Sequence, residues 1–305
     1  MKTCIYLSYI GLGANLLHLA YCHEIAQKYG TGSGASPLLS GYLPCHQMLI
    51  NKLLDWKHKN FGMLYNSGYM ANQALVKNLP GRHDLILVDK HIHHSIAQAL
   101  NRGSTRFKRY DHLDLCHLEE LLSNNVSNYD TIFVITESIF SMDGDYPDLK
   151  HLVKLKKKYP FILILDEAHG TGVLGSSGAG LAEETGTFNE VDIIIGTFGK
   201  SLGGASGGFT VANNEIIELL RQKSRPYLFS NSLAPMIAST SISIIKILDK
   251  QSTLIEKLEE NTLYFRKKLM ELKFDIIPST HPIVPIMLYD AQLAAEFAEK
   301  LLDHG

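Results

Sequence analysis

The residues best suited to chemistry stand at the ends of short apolar runs. "DIIIGTFGKSLGGASGG" (192–208) ends such a run on Thr197. It then places one lysine, Lys200, before glycines that let another body come close. "FILILDEAHG" (161–170) leads into Asp166, Glu167 and His169, and "TIFVITESIFSMDGD" (131–145) into Glu137, Ser141 and Asp143. "DLILVDKHIHHS" (84–95) leads into Asp89, His91, His93, His94 and Ser95. A lysine amine in a confined site loses its proton readily and can form a Schiff base with a carbonyl. Pyridoxal phosphate is such a carbonyl partner. It needs a carboxylate beside its pyridine nitrogen, a phosphate cradle, and a flat group over its ring. Asp166 supplies the first and a histidine of "HIHHS" the third. "NSGYMANQAL" (66–75) supplies the second, because Ser67, Gly68 and Tyr69 open a helix whose free amides and dipole suit a phosphate.

Three other readings compete. Lys200 could be an ordinary surface lysine in a loop. "FILILDEAH" and "GTFGKS" mimic the two halves of a nucleotide-hydrolysing site. A phosphate loop, however, needs G-x-x-x-x-G-K-[ST], and its first glycine would fall on Ile194. The acidic strand also precedes the lysine. A metal site would draw on His91, His93, His94 and His169. His93 and His94 diverge on any regular backbone, and no cysteine spacing helps. No metal is expected.

The elements that must position these residues follow from the same runs. Residues 84–89, 131–136, 161–166 and 192–197 are short, continuous and rich in Ile, Leu and Val, as strands buried on both faces of a parallel sheet are. Residues 207–212 predict a further strand. Helix-compatible stretches lie at 70–79, 94–102, 114–123 and 148–158, and the alternation predicts a doubly wound α/β domain. After residue 213 the pattern turns mostly helical (213–224, 235–272). A strand at 281–290 and an amphipathic helix at 291–302 then begin a smaller α/β unit. The expected division is an N-terminal segment (1–45), a large domain (46–235), and a helical connection with a partial small domain (236–305). One strand and one helix cannot complete a sheet, so the chain is expected to be cut short.

Composition narrows the partners. Across 305 residues, 29 Lys and Arg oppose 31 Asp and Glu, so no basic field suggests nucleic acid or an anionic membrane. The four cysteines (Cys4, Cys22, Cys45, Cys116) lack CxxC spacing, which fits a reducing cytoplasm. No apolar run reaches the roughly 20 residues of a membrane span. The apolar start is broken by Ser8, Gly11, Gly13 and Asn15, so a signal peptide is not expected.

Together the motifs resemble those of the α-oxoamine synthases, pyridoxal-phosphate enzymes of fold type I (aspartate aminotransferase-like). The likeness rests on "YGTGSGAS" (29–36), "SGY…HQ" (40–47), "NSGYMANQ" (66–73), "ESIFSMDGD" (137–145), "LDEAHGTGVLG" (165–175), "TFGKSLGGASGG" (197–208) and "RPYLFSNSLAP" (225–235). It implies a large, mostly parallel-sheet domain with a smaller C-terminal α/β domain. The implied activity is decarboxylating condensation of an amino acid with an acyl-CoA or acyl-carrier thioester. It further implies that Lys200 is the Schiff-base lysine and general base. Asp166 is then the pyridine-nitrogen partner, His169 lies near the ring's phenolic oxygen, and His93, from D-x-x-x-H-x-S, stacks on the ring. Ser67, Gly68, Tyr69 and Thr197 hold the phosphate, Ser230 reaches a neighbouring subunit's phosphate, and Ser141 and Glu137 line the pocket. A homodimer with shared sites is implied. The earlier motifs favour a member that joins alanine to a pimeloyl thioester in biotin synthesis, the later ones a member that joins glycine to acetyl-CoA. The balance falls to the first. Two departures stand out: Leu7 occupies the place of a substrate-binding asparagine, and the family's carboxylate-clamping arginine lies beyond Gly305. A truncated, non-catalytic remnant is the alternative these departures raise.

Overall fold

The computed structural model describes residues 9–10, 12, 16–101, 105–203, 206–249 and 253–304, with side chains from 22 onward in the first helix. In chain order its elements are α1 (Leu16–Tyr29), α2 (Pro44–Lys57), β1 (Phe61–Tyr65), α3 (Gly68–Asn78), β2 (Leu85–Asp89), α4 (His94–Asn101), β3 (Arg106–Tyr110), α5 (Leu115–Asn125), β4 (Ile132–Glu137) and α6 (Leu149–Lys158). There follow β5 (Ile162–Asp166), α7 (Leu181–Thr185), β6 (Ile193–Thr197), β7 (Gly208–Ala212), α8 (Asn214–Lys223), α9 (Arg225–Leu228), α10 (Pro235–Leu248), α11 (Thr253–Glu271) and α12 (Ala291–Asp303).

Apolar side chains on both strand faces drive a three-layer arrangement. Alternate residues of one run enter opposite cores: Leu163 and Leu165 join one cluster while Ile164 joins the other. That is why the runs are continuous rather than alternating. The sheet has seven strands in the order β1-β7-β6-β5-β4-β2-β3, and β7 alone runs against the rest. Side-chain caps start several helices. Asp114 accepts from His117 N at 2.9 Å and Asp148 from His151 N at 2.9 Å, each such cap contributing about 1 kcal/mol.

Four predicted strands and the 207–212 strand form within a residue of their expected limits. Two strands escaped notice. β3, "RFKRY", is an edge strand that buries only Tyr110 fully, and its basic residues guard the open edge. β1, "FGMLY", carries no β-branched residue and is defined by pairing to β7, with Phe61 opposite Ala212 and Tyr65 opposite Gly208. The strand expected at 281–290 is corrected to a single antiparallel bridge, Ile276 to Ile286. Pro282 and Pro285 lack the N–H that a ladder requires. The divisions expected at 45/46 and 235/236 each fall in the first turn of a helix, α2 and α10. No helix among the described residues is long and apolar enough to cross a membrane.

Candidate active site

The carboxyl ends of β1, β2, β4, β5 and β6 share one edge of the sheet, the edge at which open α/β sheets bind ligands. β7, running the other way, brings its first residue there. Gly208 pairs with both Tyr65 and Thr197, and Gly207 bridges Ser67. A Cβ on Gly208 would stand 2.5 Å from Gly68 N, and one on Gly68 would stand 3.0 Å from Thr197 Cβ. Glycine at both places therefore lets the start of α3 dock against β6 and β7. Ser67 caps α3 by accepting from Met70 N at 3.1 Å, so its own O–H stays free. The amides of Gly68 and Tyr69, in the first turn, have no intrahelical acceptor. Thr197 Oγ1 donates to Gly207 O at 2.9 Å and accepts from Gly199 N at 3.1 Å. Ser230 lies beside this cradle, its Oγ 2.9 Å from Asn66 Nδ2 of the same chain.

Asp166 ends β5 with both oxygens engaged: Oδ1 accepts from Ala168 N at 2.9 Å and Oδ2 from Asn72 Nδ2 at 2.7 Å. The same Asn72 Nδ2 donates to Ser95 Oγ at 3.0 Å, and Ser95 Oγ lies 2.7 Å from His93 Nδ1. Asn72 thereby links the Asp166 carboxylate to the His93 ring. His93 stays exposed, and its backbone N–H donates to Glu137 at the end of β4. Burial, aided by the charge of Asp166, pushes the Glu137 carboxyl well up. Lys200 is half-buried. Burial lowers its ammonium pKa, while Asp166 and Glu137 pull the other way. Ser141 sits half-buried in the loop after β4.

His169 is buried, and that burial, reinforced by the nearby Lys200 amine and the His281 and His93 rings, drives its pKa down to about 2. The imidazole is therefore neutral at physiological pH. Its Nδ1 lies 2.8 Å from the hydroxyl of Tyr9, whose phenol burial pushes up in pKa. A phenol that keeps its proton donates to Nδ1 and leaves Nε2–H as the donor the site can use. Tyr9 also packs edge-on against His281, centroids 5.8 Å apart. His281 is held neutral by burial, its pKa lowered to about 3.

Lys200, Asp166, His169, His93 and Glu137 are thus coupled at one sheet edge, with Ser67, Gly68, Tyr69, Thr197 and Ser230 grouped at the start of α3. Tyr9, Asn72 and His281 were not anticipated from sequence. Asn72 alone left a signal, lying one helical turn beyond Gly68 on α3. Leu7 lies outside the described residues. The donor set fits pyridoxal phosphate: a carboxylate for a ring N–H, an N–H donor for a ring oxygen, free amides for a phosphate, and an amine of lowered pKa.

The metal reading does not gain from the fold. Among the described residues, one group, His91, His112 and Asp143, brings ligand atoms within 4.8 Å of one another. The two imidazoles are stacked, 4.0 Å apart and tilted by 17°, so their in-plane lone pairs do not converge on one ion. His112 instead clamps two site loops, its Nδ1 2.8 Å from Asp89 Oδ1 and its Nε2 3.0 Å from Asp145 Oδ2. Burial opposes its charge, but these carboxylates outweigh that and raise its pKa. A raised folded pKa contributes stability that is full below about pH 6.5 and lost as pH rises through the folded value. Replacing His112 by Gln is therefore expected to lower the unfolding midpoint more at pH 6 than at pH 9. Equal losses at both pH values would refute the charged clamp.

The pattern of the family "Aminotransferase class I and II" matches residues 8–305. The 8-amino-7-oxononanoate synthase of Geobacter sulfurreducens is 37% identical over 300 residues, covering 98% of this chain and 76% of that protein. Serine palmitoyltransferase from S. paucimobilis, solved with bound PLP and myriocin, superposes with a TM-score of 0.93 at 30% identity, covering 98% of this chain and 78% of that one. The 8-amino-7-oxononanoate synthase of Francisella tularensis superposes at 0.83 with 28% identity, covering 99% and 85%. The chain belongs to the class I and II aminotransferase family, and within it to the α-oxoamine synthases.

Proposed function

We propose that this chain is a pyridoxal-phosphate-dependent acyltransferase that joins an amino acid to an acyl thioester with loss of carbon dioxide. The observation that carries the reading is the convergence of Lys200, Asp166 and His169 beside the glycine-walled start of α3. Lys200 would hold the cofactor until the substrate amine takes its place, and the cofactor would then supply an electron sink for negative charge at the substrate Cα. The protein's residues do the rest. Asp166 would face the proton of the ring nitrogen, His169 Nε2–H would donate to the ring oxygen, and His93 would cover the ring. The Ser67 hydroxyl and the Gly68 and Tyr69 amides would receive the phosphate, and Thr197 would join them by turning its hydroxyl away from Gly207 O. The freed Lys200 Nζ would take the α-proton, and burial, by disfavouring its ammonium form, favours the neutral amine that role needs. Glu137 holds the His93 backbone, and Ser141 lines the entrance.

The reaction class is that of the 8-amino-7-oxononanoate synthases, with alanine and a pimeloyl thioester as substrates. Relatives of that name are 33–38% identical over nearly the whole chain, which supports it. A homodimer in the cytoplasm, with Ser230 at the shared edge, completes the reading. We divide the chain as above, with the cofactor unit between the starts of α2 and α10. Presenting alanine or glycine with pimeloyl or acetyl thioesters tests the choice. Alanine with the pimeloyl thioester is expected to react at least tenfold faster than glycine with acetyl-CoA. The reverse preference would reassign the chain to the glycine reaction, and no turnover by cofactor-loaded protein would mark it a remnant.

A further inference from the structure

Lys57 has no part in the chemistry above, yet it is completely buried at the end of α2. Its Nζ donates to Thr171 Oγ1 at 2.9 Å and to Ala179 O at 2.7 Å, with the Trp56 and Phe209 rings 5.0 and 5.7 Å away. Both acceptors belong to the loop that leaves β5 at Asp166 and returns at α7. Two acidic side chains close that loop. Glu167, also fully buried, accepts from Leu181 N at 3.2 Å and Ala182 N at 3.1 Å. Glu183 accepts from Ser177 N at 3.1 Å and Ala179 N at 2.9 Å. Gly180 crosses Glu167 with φ +103, and a Cβ there would stand 2.3 Å from Oε2.

The same loop is tied to the lysine loop. The carbonyl of Thr171 accepts from the hydroxyl of Ser201, the residue after Lys200, and a Cβ on Gly172 would stand 2.5 Å from that hydroxyl. Lys57 therefore grips the residue at which the loop carrying Asp166 and His169 meets the loop carrying Lys200.

We propose that Lys57 is a positioning residue for the Lys200 site, holding Thr171 so that the two loops keep the amine in register with Asp166 and His169. A packing role alone would be served better by an apolar side chain, because a buried ammonium is costly unless paired and hydrogen-bonded. Burial lowers its pKa to about 8, while Glu167 and Glu183 pull upward, so it remains charged at neutral pH. The inference rests on the reading of Lys200 as the covalent anchor.

Lys59 provides the control. It is partly buried two residues away and donates to Phe188 O at 2.6 Å and Val191 O at 2.5 Å, away from Thr171. Wild type, Lys57→Met and Lys59→Met are loaded with pyridoxal phosphate and titrated by visible absorbance. Borohydride-trapped label on Lys200 and thermal unfolding are measured beside the titration. Lys57→Met is expected to shift the absorbance pKa by about one unit and lower the trapped fraction several-fold. Lys59→Met is expected to change only the unfolding temperature. Should Lys57→Met fail to fold, Thr171→Val removes the gripped oxygen and is expected to give the same absorbance shift. Titrations like wild type, or equal shifts in both lysine variants, would overturn the positioning role. Absence of label on Lys200 in wild type would instead refute the cofactor reading, and this inference with it.

Discussion

Lys200→Ala is expected to abolish borohydride-trapped label and to lower turnover more than about 10⁴-fold while leaving the protein folded. Two functions leave with the amine, the covalent anchor and the acceptor of the α-proton, so neither a higher cofactor concentration nor a higher substrate concentration restores the rate. The fold is expected to persist because burial disfavours the Lys200 ammonium, so removing the amine takes away no favourable buried charge. Unfolding followed by circular dichroism, with and without cofactor, separates loss of chemistry from loss of structure. Label on another lysine, or retained turnover in the variant, would remove Lys200 from the centre of the site.

Asp166→Asn is the second large effect. It keeps the side-chain shape but removes the negative charge that faces a protonated ring nitrogen. Loss of one preorganised electrostatic contact costs about 10²–10³ in rate. The substitution also disturbs a full set of hydrogen bonds. Both Asp166 oxygens accept N–H groups, from Ala168 at 2.9 Å and Asn72 at 2.7 Å. An amide must set its NH₂ against one of them, a mismatch of about 1–3 kcal/mol. We expect the rate constant to fall by that electrostatic factor, with a modest drop in unfolding temperature. The Asn72→Ala variant, which leaves the charge but frees the Asp166 side chain, should lose less. If Asp166→Asn turns over within a few-fold of wild type, the carboxylate has no electrostatic role. Steady-state kinetics on both variants decides it.

Much of this site was legible because its residues follow the strands that carry them. Ile193, Ile194 and Ile195 must be apolar since β6 is buried on both faces, and the first polar residues beyond such a run emerge at the ligand edge. The positions of Thr197, Lys200, Asp166, His169 and Glu137 at that edge therefore follow from the strand runs alone. Ser67, Gly68 and Tyr69 were equally readable as the opening of a helix, and the structure makes Ser67 its cap. The apolar residues of 281–290 suit a strand, but Pro282 and Pro285 remove ladder donors and only the Ile276–Ile286 bridge forms.

Whereas β1 and the edge strand β3 are set by pairing, what the chain determined alone was local: the buried parallel strands, which residues end them, and where helices begin. Those follow from side-chain hydrophobicity, backbone donors and caps within a few residues. What only the tertiary structure decided lies between distant segments. Tyr9 meets His169 across 160 positions and sets which ring nitrogen carries the proton, and Lys57 meets Thr171 across 114. Neither residue carries a local motif. Its role exists only once the insertion of β7 between β1 and β6 has fixed the strand order and brought the loops to one edge. Hydrogen bonds and desolvation act over a few ångströms of space, whatever the distance along the chain. The tautomer of His169 and the charge on Lys57 are therefore properties of the fold.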